Sequence, residues 1–422
     1  MSDLDLLNKT LEQQAPALFR CLSPLGLRAI MPKGIVAQSA EASKAEINCS
    51  IGQITDGAGS PMPLDAIARG MPGTNAKMSF LYSPMAGHAP LRQAWQERQS
   101  RHSGGSTAPS TVAMVTLGLT QGVSHAAALF ADPDTDVIVT DPRWGNYDLV
   151  TRIHAGARIV AYPYYRDGRF NVEGLAQALA NVRSKAVVVL NFPGNPTGYM
   201  PTPEVADEIV RVLTAHSGPA VVVVDDAYQG LVFDDGLQKR SLYWDLVENR
   251  DPERLFVMRL DGATKELLFF PGRVGFISHS LEPQAAAALQ SKLLCVSRGT
   301  VGSPPGPSQA LVLEALRDPK LETNIAERVA VLKSRCLALR SLLAEHANPR
   351  VTPYPFNSGC FALLGLDPSI PAEDLRLRLL EHYGLGVISI PSVNAVRLAY
   401  CSIAEDTLPT VVERLMTAVD AW

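Results

Sequence analysis

The 422 residues carry 38 Lys and Arg against 42 Asp and Glu, a net charge of −4, with 46% apolar and 19% charged residues. That balance is globular rather than disordered, and without a basic block it offers no surface for nucleic acid. No run nears the roughly 18 uncharged apolar residues of a membrane span, and the length exceeds what one core usually organises, so two domains are expected.

The N-terminus, Met1-Ser2-Asp3-Leu4-Asp5, is acidic and lacks the apolar core of a signal peptide. Ser103-Gly104-Gly105-Ser106 reads as a surface loop. Seven short apolar runs follow: Val112–Thr116, Asp136–Thr140, Ala157–Tyr162, Ala186–Leu190, Ala220–Val224, Leu255–Leu260 and Val274–Ser278. Longer helical patterns, such as Pro203–Ala215, separate most of them. Continuously apolar strands with helices between them predict a parallel sheet covered on both faces. Beyond the Gly/Pro-rich stretch Gly302–Pro307, a long helix is expected at about Asn324–Glu345. Strands near Gly359–Leu364 and Ala395–Ala399, with helices at Pro371–His382 and Glu405–Ala421, predict a smaller α+β domain. Cys21, Cys49, Cys295, Cys336, Cys360 and Cys401 are scattered without CxxC spacing. They read as reduced thiols of a cytoplasmic protein.

Ligands of such sheets bind at the carboxyl ends of the strands, and four motifs fall there in order. They are Pro142-Arg143-Trp144-Gly145-Asn146, Asn195-Pro196-Thr197-Gly198, Asp225-Asp226-Ala227-Tyr228, and Lys265 with Arg273 eight residues on. Together they offer an amine for an aldehyde, a carboxylate for a ring nitrogen, a flat partner for a ring face and donors for a phosphate. Pyridoxal 5'-phosphate makes those four demands.

Each residue has an ordinary reading beside the functional one. A lysine is usually a surface residue, but Lys265 follows an apolar strand that ends at Leu260. Burial beside a cation would lower its pKa and free the amine as a nucleophile and proton carrier. Asp225 ends the run Val221-Val222-Val223-Val224, with Asp226 as its rival; both acids could simply end a strand. Trp144 suits stacking on a flat heterocycle, or a place in the core. Gly118-Leu119-Thr120-Gln121-Gly122 follows a strand and opens a helix, where backbone amides bind anions. Arg397 lies within the apolar run Val396-Arg397-Leu398-Ala399. A charge there is costly unless paired, either with a substrate carboxylate or with an acidic neighbour.

The ordered set resembles the fold-type I aminotransferases of class I/II. Trp144-Gly145-Asn146 and Asp225 through Ala227-Tyr228-Gln229-Gly230 are most similar to the aspartate aminotransferase subgroup, and the resemblance runs from about Asn48 to about Cys401. It implies an α/β fold: a large domain (61–318) with a mostly parallel seven-stranded sheet, a small α+β domain (319–422), and an N-terminal segment (1–60) packed with the small domain. It implies Lys265, Asp225 and Tyr228 as catalytic residues; the Asp-x-Ala-Tyr pattern selects Asp225 over Asp226. The implied cofactor contacts are Leu119, Thr120, Gln121, Trp144, Asn195, Asp225, Tyr228, Thr264, Lys265 and Arg273, with Tyr82 reaching the phosphate of a neighbouring subunit. Gly52, Asn195 and Arg397 would bind substrate. No metal is implied.

The implied activity moves an amino group from an α-amino acid to a 2-keto acid in a homodimer with composite sites. A lyase or decarboxylase on the same fold, or a silent regulatory relative, is the alternative. Two departures stand out. Gly262 occupies a position where the family often has serine, so Thr264 would supply the hydroxyl. Pro304-Pro305 leads into Gly306-Pro307-Ser308-Gln309-Ala310 without the arginine expected of dicarboxylate-specific members. A neutral or aromatic donor is therefore expected, unless Arg298 or Arg28 enters the pocket.

Overall fold

The computed structural model describes residues 3–14, 27, 35–50, 52, 54–57, 62–70, 75, 78–79, 81–108 and 111–422. Cys21 and Arg28 lie outside them. In chain order the strands are β1 (Ile47–Asn48), β2 (Met114–Leu117), β3 (Thr135–Asp141), β4 (Arg158–Pro163), β5 (Tyr165–Arg166), β6 (Arg169–Phe170), β7 (Lys185–Asn191) and β8 (Ala220–Asp225). There follow β9 (Leu255–Gly262), β10 (Val274–His279), β11 (Val351–Pro353), β12 (Ala362–Leu366), β13 (Leu385–Gly386), β14 (Ile388–Ile390) and β15 (Ala395–Leu398).

The main sheet has seven strands in the order β2-β10-β9-β8-β7-β3-β4. The neighbours from β9 to β4 pair in parallel. β10 is antiparallel to both β9 and β2. Its apolar run alone carries no sign of direction, so only its pairing shows that it runs against its neighbours. Side chains of one strand alternate between faces. Val187 and Val189 of β7 enter one apolar cluster, while Val188 and Leu190 enter another. Both clusters are buried, which is why these strands read as unbroken apolar runs.

The smaller sheet is antiparallel, in the order β11-β12-β15-β14. β1 pairs in parallel with β13, Ile47 opposite Leu385, so the chain visits this end of the molecule before building the large sheet. The helix Leu321–Glu345 links the two regions. The helices not expected from the sequence include Ala89–Arg101, Pro283–Thr300 and Gly306–Arg317. The last begins inside the Gly/Pro-rich stretch Gly302–Pro307. Proline at the first helical positions costs no hydrogen bond, so Pro307 starts this helix instead of preventing it. Leu311, Val312 and Ala315 then pack with Val115 and Phe276 of the sheet. Among the described residues no helix is long and apolar enough to cross a membrane.

Candidate active site

A cavity of about 180 Å³ opens at the carboxyl edge of the large sheet. β2, β3, β7, β8 and β9 all end there. Leu119, Thr120, Trp144, Asn195, Asp225, Tyr228, Thr264, Lys265 and Arg273 line it together, from segments more than 150 residues apart in sequence.

β8 delivers Asp225 to the cavity floor, 1% exposed. Tyr147 donates its hydroxyl to Asp225 Oδ2 at 2.5 Å, and the Ala227 amide donates to Oδ1 at 3.1 Å. Burial raises the Asp225 carboxyl above its ordinary range; the Tyr147 hydrogen bond, the Lys265 charge and the Ala227 amide oppose it. Asp226 points the other way. Its Oδ2 accepts from Arg259 Nε and from Ser241 Oγ, each at 2.6 Å, away from the cavity. Strand alternation puts these adjacent carboxylates on different faces.

Lys265 sits on the one-turn helix Ala263–Glu266 that follows β9. Its Nζ lies 5.0 Å from the centroid of the Tyr228 ring. Burial holds its amine below the ordinary lysine range, against the pull of Asp225. The neutral, nucleophilic form is thereby favoured.

Arg397 crosses from β15 into the same region and is 2% exposed. Its Nη1 donates to Asn195 Oδ1 at 3.0 Å and its Nη2 to the Ser50 carbonyl at 2.7 Å. The guanidinium lies over the Phe361 ring, 4.3 Å from its centroid. Nε has no partner and no ion pair forms among the described residues. Burial pushes this guanidinium down to about 10. The acidic neighbour that would have made Arg397 an internal ion pair is thus absent among the described residues. Asn195 Nδ2 also donates to the Tyr228 hydroxyl at 3.3 Å, so one amide links the cavity to Arg397. Gly52 is half-buried, and a side chain there would run into the Phe361 ring.

At the other end, Gly118 opens the helix Gly118–Phe130 with φ +69, and a side chain there would meet the Arg273 guanidinium. Glycine serves both needs. Among the described residues Arg273 makes two long hydrogen bonds, at 3.5 and 3.3 Å, to the carbonyls of Phe270 and Leu117. Thr264 Oγ1 is buried without a hydrogen-bond partner among the described residues. The Gln121 side chain does not face the cavity; its Oε1 accepts from the Leu117 amide at 2.7 Å. Underused donors beside a helix N-terminus fit a phosphate. A carboxylate, an amine and the indole of Trp144 face the same cavity, which fits the ring and aldehyde of pyridoxal phosphate. Tyr82 lies outside this cavity, 97% exposed.

Three contributors escape a reading by motif. Tyr147 holds Asp225 and meets Trp144 edge-on, with ring centroids 5.5 Å apart. Asn191, the last residue of β7, donates to the Asp225 carbonyl and accepts from the Asn195 amide, both at 2.9 Å. Ser50 offers only its carbonyl. Tyr147 is spaced three residues from Trp144, a usable helical signal. A backbone carbonyl gives no signal at all.

The pattern of the aminotransferase class I and II family matches residues 44–415. The chain is 28% identical over 345 residues to an aspartate/prephenate aminotransferase of Thermus thermophilus, covering 79% of this chain and 82% of that one. It is 27% identical over 305 residues to an aromatic-amino-acid aminotransferase of Paracoccus denitrificans, covering 70% and 74%. Among solved structures, an aminotransferase from Anaerococcus prevotii superposes with a TM-score of 0.82 at 20% identity, over 93% of this chain and 98% of that one. The aspartate aminotransferase of Thermus thermophilus with maleate gives 0.77 at 23%, over 94% and 99%. At those identities the superpositions speak to the fold.

Proposed function

As this chain belongs to the aminotransferase class I and II family, we propose that its cavity holds pyridoxal 5'-phosphate and transfers the amino group of a neutral or aromatic α-amino acid to a 2-keto acid. The observation that carries the substrate half is Arg397, a buried guanidinium without a carboxylate partner among the described residues. A buried charge needs pairing, and a planar fork matches a substrate α-carboxylate in two parallel bonds. When bound, the cofactor supplies an aldehyde and an electron-accepting ring. Lys265 would hold it through Nζ. Asp225 would keep its ring nitrogen protonated, Trp144 would cover its face, Tyr228 would donate to its phenolic oxygen, and Arg273, Thr264 and the amides of Leu119, Thr120 and Gln121 would take its phosphate. Once displaced by the substrate amine, Lys265 Nζ would take the proton from the substrate Cα. Asn195 and Gly52 would orient the carboxylate beside Arg397.

Tyr82 is read as reaching the phosphate of a second copy, which makes the working unit a homodimer. The two sheets support the division into 61–318 and 319–422, with 1–60 joining the smaller part through β1. Free thiols at Cys49, Cys295, Cys336, Cys360 and Cys401 fit a cytoplasmic setting.

The donor preference rests on cations. Among the described residues that line the cavity, the cationic side chains are those of Lys265 and Arg273. Gln309, just after Pro304-Pro305, spends its amide on the Ser83 hydroxyl, the His88 amide and the carbonyls of Pro304 and Pro305. A second reading, a dicarboxylate donor, is favoured by Arg298. It is exposed, forms no ion pair among the described residues, and lies near the end of the helix before Pro304. The Gly306 backbone of that segment lies against Met78 and Ser83, next in sequence to Tyr82. Steady-state kcat/KM for alanine, phenylalanine, tryptophan and aspartate separates the readings. Aspartate as best donor, with that preference lost in Arg298→Ala, would establish the second. No transfer from any donor, with cofactor bound, would overturn both.

A further inference from the structure

Trp144 lines the active-site cavity, but Arg143 beside it does not. The Arg143 guanidinium turns instead to the chain on either side of the indole. Its Nε donates to Asp148 Oδ2 at 2.7 Å and its Nη2 to Asp148 Oδ1 at 2.9 Å, a forked pair of bonds to one carboxylate. Nη1 donates to the Thr140 carbonyl at 3.2 Å, with Asp141 Oδ1 at 4.0 Å. Thr140 lies at the end of β3, and Asp148 opens the helical segment Asp148–His154. One side chain thus ties the strand end to the helix start, and Trp144 lies in the span between them.

That span is weakly held on its outer side. Gly145, next to the indole, is exposed, and no atom approaches within 4 Å of where its side chain would begin. Glycine also restricts the backbone least. Trp144 is half-buried and meets the Tyr147 ring edge-on. Exposed ion pairs contribute little as a rule, the exceptions being forked pairs of good geometry. Here the side chains of Arg143 and Asp148 are 17% and 22% exposed, and the fork reaches both carboxylate oxygens.

We propose that Arg143 is a positioning residue for Trp144: with Asp148 it fixes the span so that the indole meets the cofactor ring. The inference rests on the reading of Trp144 as the cover of that ring. Stacking depends on offset and distance. An indole on an untied span samples positions away from the ring, and the contact weakens although no group facing the cofactor has been changed. A lysine at this position would keep the charge and lose the fork.

The test is a double-mutant cycle on cofactor affinity. Pyridoxamine 5'-phosphate is the probe, because its amine does not join to Lys265 and its Kd reports non-covalent contacts alone. Equilibrium dialysis against the apoprotein gives that Kd. Trp144→Ala should raise it roughly tenfold, and Arg143→Met roughly two- to fivefold, the scale of one aromatic contact or part of one. Asp148→Asn keeps the shape but replaces one acceptor by a donor, so it should match Arg143→Met. In the Trp144→Ala background neither change should raise Kd further. The visible circular dichroism of the holoenzyme should move in Arg143→Met in the direction it moves in Trp144→Ala. A general loosening of the fold would weaken binding equally in both backgrounds. That result, or a Kd unmoved by both Arg143→Met and Asp148→Asn while Trp144→Ala raises it, overturns this proposal alone. A Kd unmoved by Trp144→Ala overturns it together with the reading of Trp144.

Discussion

Replacing Tyr147 by Phe removes one hydroxyl and keeps the ring against Trp144. The hydroxyl donates to Asp225 Oδ2 at 2.5 Å, inside a site where both groups are fully buried. A hydrogen bond to a charged group contributes about 1.5–3 kcal/mol, and about 1.36 kcal/mol corresponds to one pKa unit. The bond stabilises the carboxylate, so its loss should raise the Asp225 pKa by about 1–2 units by that arithmetic. Asp225 already stands above the ordinary range through burial, and the Lys265 charge and Ala227 amide remain to oppose it. Cofactor binding that needs an ionised Asp225 weakens as pH falls through that pKa. In Tyr147→Phe the acid limb of cofactor affinity against pH should therefore move to higher pH by the same amount. Fluorescence titration of the apoprotein across pH reads it directly. An acid limb in its original place would refute the assignment, whatever happens to turnover.

Lys265→Ala should leave a folded chain that binds cofactor but cannot be covalently labelled by borohydride; peptide mapping of the unsubstituted protein should find the label on Lys265 alone. Asp225→Asn should abolish turnover with little change in melting temperature. Asp226→Asn should do the reverse, losing about 3 kcal/mol by leaving buried Arg259 short of a partner; equal effects in both assays would mean the register is wrong. Arg397→Met should lower kcat/KM for every donor by a factor of roughly 30 to several thousand, from a cost of about 2–5 kcal/mol; an effect on one donor alone would break the link to the shared carboxylate. Burial lowers the His125 pKa from 6.5 to about 4, so its contribution to stability is present above pH 6.5 and lost as pH falls towards 4. Urea midpoints against pH should flatten across that window in His125→Gln.

The large sheet was legible because its strands are buried on both faces. Val187 through Leu190 alternate between two apolar clusters, so no polar residue interrupts the run. The direction of β10 was not legible, since an apolar strand reads the same whichever way it pairs. The helix Gly306–Arg317 was hidden by its own start: Gly and Pro mark a break only when no helical face follows them, and here Leu311, Val312 and Ala315 follow.

The site divides along the same line. Residues whose side chains carry the proposed chemistry announced themselves by being out of place: a carboxylate ending a valine run, an arginine inside an apolar strand, a lysine after one. What holds them did not. Tyr147, Asn191 and the Ser50 carbonyl are ordinary in their local sequence, and their partners lie 78, 34 and 347 residues away along the chain. A group that costs energy to bury is visible in one dimension, because the cost shows against its neighbours. A group that relieves the cost is visible only where the fold brings it. Arg397 shows both halves: its misplacement in β15 pointed to an anion, but only the folded site reveals that Asn195 and Ser50 occupy the two Nη groups and that Nε is left without a partner. An arginine held by two neutral acceptors, with no acid beside it among the described residues, is what the proposed grip on a substrate carboxylate rests on.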